Sequence, residues 1–386
     1  MLKKRIGQII AIIFFVGLLS LAFLLIRQKE ESLPPIGRRD LQISPSLEAG
    51  QSTFKEALFY EQLSSGFVEC NLCPNNCILA NKQIGACRAR QNQEGKLVSL
   101  VYGEVAAKHV DPIEKKPLYH FFPGARAYSI ATAGCNLSCK NCQNWDLSQK
   151  FPWEVKSTKM TPEQVVQGAI DSGAPIIAYT YSEPTIFYEF MLDAAKLARE
   201  KGIKNIMHSA GYINQEPLMQ LIPYLDAANI DLKGFRGEFY KKLTNGDVGP
   251  VLETLKTLHQ EAVWLEITYL IIPTYNDSEQ EIKEMVIWVK ENLDENVPIH
   301  FSRFFPYYKL SNMAATPIET IQRARGIALE QGLKYVYTGN VNWVEGNTTY
   351  CDDGSIAIER KGYFVSQNNL DDGKCGDGKE VAGVWE

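Results

Sequence analysis

The chain has 386 residues, 45% of them apolar and 22% charged, with a formal net charge of −5. That composition can bury a sizeable core, which excludes a largely disordered chain, and the acidic balance excludes a nucleic-acid coat protein, so no nucleic-acid partner is expected. Nine cysteines, an odd number and mostly clustered, point away from a pure disulfide scaffold and toward metal.

Met1–Arg5 reads MLKKR, and Ile6–Ile26 then carries no charge. Those 21 residues, at about 1.5 Å rise each, cover about 30 Å, the thickness of a bilayer's hydrocarbon. The stretch predicts a single-pass N-terminal membrane anchor within residues 1–30. It is too long for a signal peptide, and no small-x-small site follows it. Lys3, Lys4 and Arg5 outweigh Arg27 and Lys29, which favours an inside N-terminus and an outside body.

Residues 31–66 are polar, with Pro34-Pro35 and several serines, and read as a linker and entry segment. Residues 67–125 form a cysteine-rich N-terminal domain in which Cys70, Cys73, Cys77 and Cys87 give C-x2-C-x3-C-x9-C. Such a set can close a zinc site, the simplest occupant, or hold a second iron–sulfur cluster, while two disulfides are the alternative in an oxidising compartment.

From residue 126 short apolar strands alternate with helix-period segments. Strands are expected at Ala127–Ala133, Pro175–Tyr181, Ile203–His208, Ala227–Leu232, Val263–Ile271, Pro298–Phe304 and Lys334–Tyr337. Thr161-Pro162 opens the first crossover helix, with Thr161 as N-cap and Pro162 in the first position. Six or seven such units are too few for a full eight-fold barrel, so residues 126–345 read as an α/β core, a partial, open parallel β/α barrel. In such folds working residues lie at the C-terminal ends of strands.

The first strand runs into GCNLSCKNCQNW, where Cys135, Cys139 and Cys142 form C-x3-C-x2-C. Three thiolates on one loop can hold three irons of a [4Fe–4S] cubane. The fourth iron is then open to an amine and a carboxylate, the groups at the methionine end of S-adenosylmethionine (SAM). A structural zinc site would instead use four protein ligands.

Five stretches together carry a resemblance: DPIEKKPLYHFFPG (Asp111–Gly124), GCNLSCKNCQNW (Gly134–Trp145), YSEPTIF (Tyr181–Phe187), NIDLKGF (Asn229–Phe235) and HFSRFFP (His300–Pro306). The chain resembles the radical SAM superfamily, and within it the AmmeMemoRadiSam system radical SAM enzymes, similar to pyruvate formate-lyase activating enzymes. The resemblance implies a radical SAM enzyme that cleaves SAM reductively to a 5′-deoxyadenosyl radical. It implies an electron donor of flavodoxin or ferredoxin type, and a protein or peptide substrate such as a glycyl position. By resemblance Glu183 holds the SAM amino group, and its plain alternative is a carboxylate at a helix N-terminus. Asp231 and Lys233 hold the SAM carboxylate and ribose region, or form a simple ion pair. Arg303 pairs with a carboxylate or braces the rim, with His300 beside it at the strand end.

The departures from the family are specific. Asn141 stands where an adenine-packing aromatic is usual, leaving Trp145 as the nearby ring. Asn75 stands where members of the family often carry His, and Ala210 where they often carry Asn. In the tail, residues 346–386, Cys351 and Cys375 each lack the second cysteine of a zinc-ribbon-like pair and are left to a disulfide or to help from Asp352, Asp353 or Asp377. Two other function classes remain beside the enzyme. One is a membrane-anchored iron–sulfur electron carrier, the other a non-catalytic metal-binding barrel. SAM and a strong reductant are cytoplasmic commodities, so the chemistry places the body weakly in the cytoplasm, against the charge rule. If residues 6–26 are the anchor, deleting residues 1–30 moves the protein from the membrane pellet to the soluble fraction of a lysate; a truncated chain still sedimenting with membranes refutes it.

Overall fold

The computed structural model describes residues 54–385. The predicted membrane span lies outside the described residues; among those described, no helix is long and apolar enough to cross a membrane.

The centre is one eight-stranded sheet. Its strands are β1 (Ala107–Pro112), β2 (Arg126–Ala131), β3 (Ile176–Tyr179), β4 (Lys204–Ser209), β5 (Ala227–Asp231), β6 (Trp264–Ile271), β7 (Ile299–Arg303) and β8 (Val336–Gly339). They pair in chain order, every pair parallel except β1 with β2. Six helices cover the sheet: α1 (Pro162–Asp171), α2 (Tyr188–Glu200), α3 (Gln215–Leu221), α4 (Val248–Gln260), α5 (Glu279–Asn292) and α6 (Ile318–Glu330). Ile176–Tyr179 is buried at every position, as a parallel strand covered on both faces must be. Thr161 caps α1 as the sequence predicts: its hydroxyl accepts from the Gln164 N–H and Pro162 follows it.

All seven expected strands form, each within two residues or so of its predicted bounds. The eighth, β1, is an edge strand that the sequence reading left inside the cysteine-rich segment. Its residues AKHVDP alternate too little to read as a buried strand, because Lys108, His109 and Val110 are exposed and only β2 flanks it.

The two edge strands do not pair with each other, so the sheet stays open. Trp145, in the loop that follows β2, stacks on Tyr308, in the loop that follows β7, with ring centroids 5.3 Å apart. Five strand spacings of a flat sheet would separate the ends of those strands by about 24 Å. The loops at the C-terminal ends of the strands therefore meet on a common rim.

The cysteine-rich segment packs on this core as two three-stranded antiparallel sheets, one of Tyr60–Gln62, Val68–Cys70 and Cys77–Leu79, the other of Lys55–Glu56, Arg90–Gln93 and Lys96–Ser99. Arg90 joins it to α2 through a buried ion pair with Glu189, whose carboxylate also accepts from the Leu58 N–H. The tail folds as a third small sheet, Thr349–Tyr350, Ile356–Lys361 and Phe364–Asn368, closed by a Cys351–Cys375 disulfide with Cα atoms 6.1 Å apart.

One expectation is corrected here. His300 is not at the working end of its strand. It is the second residue of β7, near the N-terminal end, and only 2% exposed. Its Nε2 is 2.6 Å from Glu266, whose carboxylate also accepts from the Tyr119 N–H, the His120 N–H and the Trp264 indole. Arg360 from the tail lies over the Tyr119 ring and donates to its carbonyl. This polar layer closes the sheet's lower end against the tail, where a fully buried carboxylate is tolerated only with such partners. Glu266→Ala strips them at once and should cost about 3 kcal/mol or more in urea unfolding; a loss under about 1 kcal/mol would show the layer is not holding the tail.

Candidate active site

The rim is built from the turns that follow β2 to β7. After β2 the chain passes Gly134, whose φ of +104° and whose approach to the Cys87 carbonyl leave no space for a Cβ, 2.5 Å from that oxygen. It then makes the Cys135–Cys142 loop. The loop is pinned from three sides. The Ser138 and Lys140 N–H groups donate to the Thr244 and Leu243 carbonyls, the last of the π-turn Tyr240–Thr244. The Asn136 side chain donates to the Tyr212 carbonyl at 2.7 Å. The Lys309 N–H closes on the Lys140 carbonyl at 3.0 Å.

The three thiols fit a cluster by their chemistry. They are not in disulfides. Burial pushes Cys135 well above the ordinary thiol range, helped by Glu183, and takes Cys139 up to about 12 in spite of Lys233. Cys142 is raised by burial too, and eased by Ser148, whose hydroxyl is 3.1 Å from its sulfur. The Leu137 N–H points at the Cys135 sulfur, 3.4 Å away. Soft sulfurs out of water, with N–H and O–H donors aimed at them, become thiolates when a metal takes the proton's place. Among the described residues no three His, Cys, Asp or Glu side chains are grouped to hold one metal ion; a cubane differs, since each thiolate binds its own iron.

Glu183 follows β3 and is 1% exposed. Its Oε1 accepts from the Thr185 N–H, the Thr185 hydroxyl and the Ser209 hydroxyl, and its Oε2 from the Ala210 N–H at 2.9 Å. It thus caps the 3-10 turn Pro184–Phe187, the plain role the sequence allows. One acceptor position on Oε2 remains, of the kind an ammonium takes. The Ala210 position contributes its backbone N–H, where a side chain was expected to be missing.

Asp231 ends β5 and Lys233 follows it. The Lys233 ammonium is 2.8 Å from Asp231, and the His208 Nε2 is 3.2 Å from the other carboxylate oxygen. Burial opposes both charges, but Lys233 and His208 outweigh it at Asp231 and hold that carboxyl well below its usual range. Likewise Asp231 and Cys139 hold the Lys233 ammonium well above its own. The pair sits beside the cluster thiols, since Lys233 and Asp231 both bear on Cys139 and Cys142.

Other predicted residues divide. Trp145 is at the rim and 38% exposed, with one face of its indole taken by Tyr308. Arg303 is a brace: its Nε donates to the Thr316 carbonyl at 2.7 Å and its guanidinium lies over Phe305. His208 was missed, although its place at the end of a predicted strand was the available signal. Also missed was the support beneath YSEP. Tyr181 is held at φ +62°, costly for a bulky residue, by its hydroxyl bond to Asp111 and by the Lys116 ammonium over its ring.

Several comparisons bear on this arrangement. Residues 129–286 match the family model described as the radical SAM superfamily. An uncharacterized protein of Methanocaldococcus jannaschii is 46% identical over 318 residues, which is 82% of this chain and 95% of that one. The pyruvate formate-lyase-activating enzyme of Clostridium pasteurianum is 25% identical, over 55% of this chain and 91% of its own. A solved domain of a pyruvate-formate lyase-activating enzyme from Bacteroides vulgatus is 19% identical, covering 42% of this chain and 98% of that one, at a TM-score of 0.37. The chain belongs to the radical SAM superfamily. Within it the protein is an activating-enzyme-like radical SAM enzyme.

The Asp111 cluster carries a pH signature. Burial pushes the Asp111 carboxyl up, but bonds from Lys116, Tyr181 and Lys115 win and hold it well below the usual range. Burial pulls the Lys116 ammonium down to about 8 despite Asp111. A carboxyl depressed on folding stabilises above its unfolded pKa, about 3.9, and loses that contribution as pH falls further. Asp111→Asn should therefore destabilise at pH 7 by about 3 kcal/mol, and the gap to wild type should narrow below about pH 4. Unfolding curves that stay a constant distance apart across that range would refute the assignment.

Proposed function

We propose that Cys135, Cys139 and Cys142 hold a [4Fe–4S] cluster and that the enzyme uses it to cleave SAM reductively. When bound, the cluster supplies one electron to the sulfonium, giving methionine and a 5′-deoxyadenosyl radical that takes a hydrogen atom from the substrate. The observation that supports this reading is convergence: three thiols of one loop, a carboxylate with one acceptor position to spare and an Asp-neutralised lysine all meet at one rim.

The chain's own groups then divide the work. Glu183 accepts from the ammonium of SAM, its carboxylate already oriented by Ser209, Thr185 and Ala210. Lys233 meets the SAM carboxylate or ribose oxygens, while Asp231, itself held by His208, keeps it charged and aimed. Trp145 offers its uncovered face to the adenine.

The substrate class is inferred from the relatives' names, which are those of activating enzymes: a polypeptide, with a glycyl position as the hydrogen donor. The electron comes from a low-potential protein of flavodoxin or ferredoxin type. The hydrophobic run at residues 6–26 ties the enzyme to a membrane, with the body on the cytoplasmic side, where SAM and reductant are. In anaerobically reconstituted, dithionite-reduced protein, Cys139→Ala should reduce 5′-deoxyadenosine release to the no-enzyme background. Lys233→Met should raise the KM for SAM roughly tenfold or more, the worth of one charge-assisted hydrogen bond. Deoxyadenosine formation retained in the Cys139 variant would overturn the proposal.

A further inference from the structure

A second set of sulfurs lies outside the SAM rim. Cys70, Cys73, Cys77 and Cys87 line one cavity together with Arg90, Asn75, Asn136 and Thr185. The fold gathers them deliberately. Cys70 and Cys77 face each other across adjacent antiparallel strands, Cys73 lies in the turn between, and Cys87 returns from a turn closed by the Arg88 N–H on the Gly85 carbonyl.

The surroundings are those of metal thiolates. Arg90 is 1% exposed, and its guanidinium reaches to 3.9 Å from the Cys70 sulfur. Its Nε is buried with no partner. Glu189 neutralises this guanidinium on one side, and on the cavity side it would complement thiols that become negative. Backbone N–H groups of Asn75 and Ala89 point at the Cys73 and Cys87 sulfurs. The disulfide among the described residues lies elsewhere, at Cys351–Cys375.

Tetrahedral zinc draws four sulfurs to about 2.3 Å from one ion, and among the described residues no three ligand side chains group around a single ion. A cluster instead gives each sulfur its own iron.

The two cysteine sets are also joined. The Cys135 N–H donates to the Cys87 carbonyl at 3.2 Å, and the Asn75 side chain donates to the Asn136 carbonyl at 2.7 Å. Thr185 lines the cavity and at the same time donates to Glu183. We infer that Cys70, Cys73, Cys77 and Cys87 hold a second iron–sulfur cluster, set directly behind the Cys135–Cys142 loop and one backbone hydrogen bond from it.

The test is iron, acid-labile sulfide and zinc per full-length chain, after anaerobic reconstitution in detergent. Wild type should carry about eight iron and eight sulfide. A variant with Cys135, Cys139 and Cys142 all changed to Ser should keep about four of each, with an iron–sulfur electron resonance that SAM does not alter. This arm stands whether or not the SAM reading holds, because it uses none of that site's ligands. Cys73→Ser with Cys87→Ser should lose this second set and keep the SAM-responsive signal. If that variant fails to fold, the triple variant still decides the matter. A triple variant without iron, or one holding stoichiometric zinc in its place, overturns the inference.

Discussion

Charge taken out of water must be met by opposite charge or by hydrogen bonds, and that single constraint organises this molecule. Glu183 is buried behind β3 because four donors converge on it. Lys233 stays charged beside Cys139 and Cys142 because Asp231 is there first. Asp111 is ringed by Lys115, Lys116 and the Tyr181 hydroxyl. Arg90 is walled in by Glu189 on one side and by sulfur on the other. Each of these groups is expensive alone, and together they hold the turns of the rim in one arrangement.

The two ends of the sheet use this constraint differently. At the C-terminal end bonding capacity remains: an acceptor position on Glu183, an uncovered face of Trp145 and three thiols outside any disulfide. At the N-terminal end the layer is closed by protein groups, with Glu266 taking four donors and the tail's Arg360 over Tyr119. An end with unspent bonding capacity is where a cofactor and substrate can gain free energy by binding. An end without it serves stability. Strand β7 carries both, with His300 in the closed layer and Arg303 bracing the open rim.

The cysteine-rich segment belongs to the same design. Its ion pair to α2, its hydrogen bond to the Cys135 loop and the glycine that lets the two backbones touch make it part of the wall of the active site. Thr185 has one side in each chamber. The tail is tied to the opposite end, where its disulfide holds the small sheet that presents Arg360.

Local chemistry was legible in the chain. Continuous apolar runs announced the seven parallel strands, Thr161-Pro162 announced the cap of α1, and the spacing of Cys135, Cys139 and Cys142 announced a cluster loop, because each of these depends on residues close together in sequence. What the sequence could not decide were matters of distance between remote segments. Edge strand β1 has one neighbour and so lacks a buried pattern. His208 and Asp231 meet only because β4 and β5 lie side by side in register. His300 faces downward because of where β7 begins, and Cys351 finds Cys375 only once the tail folds. The same nine cysteines sort into a loop of three, a cavity of four and a disulfide of two only in three dimensions, since whether sulfurs share a metal depends on the space between them, which a one-dimensional spacing does not contain.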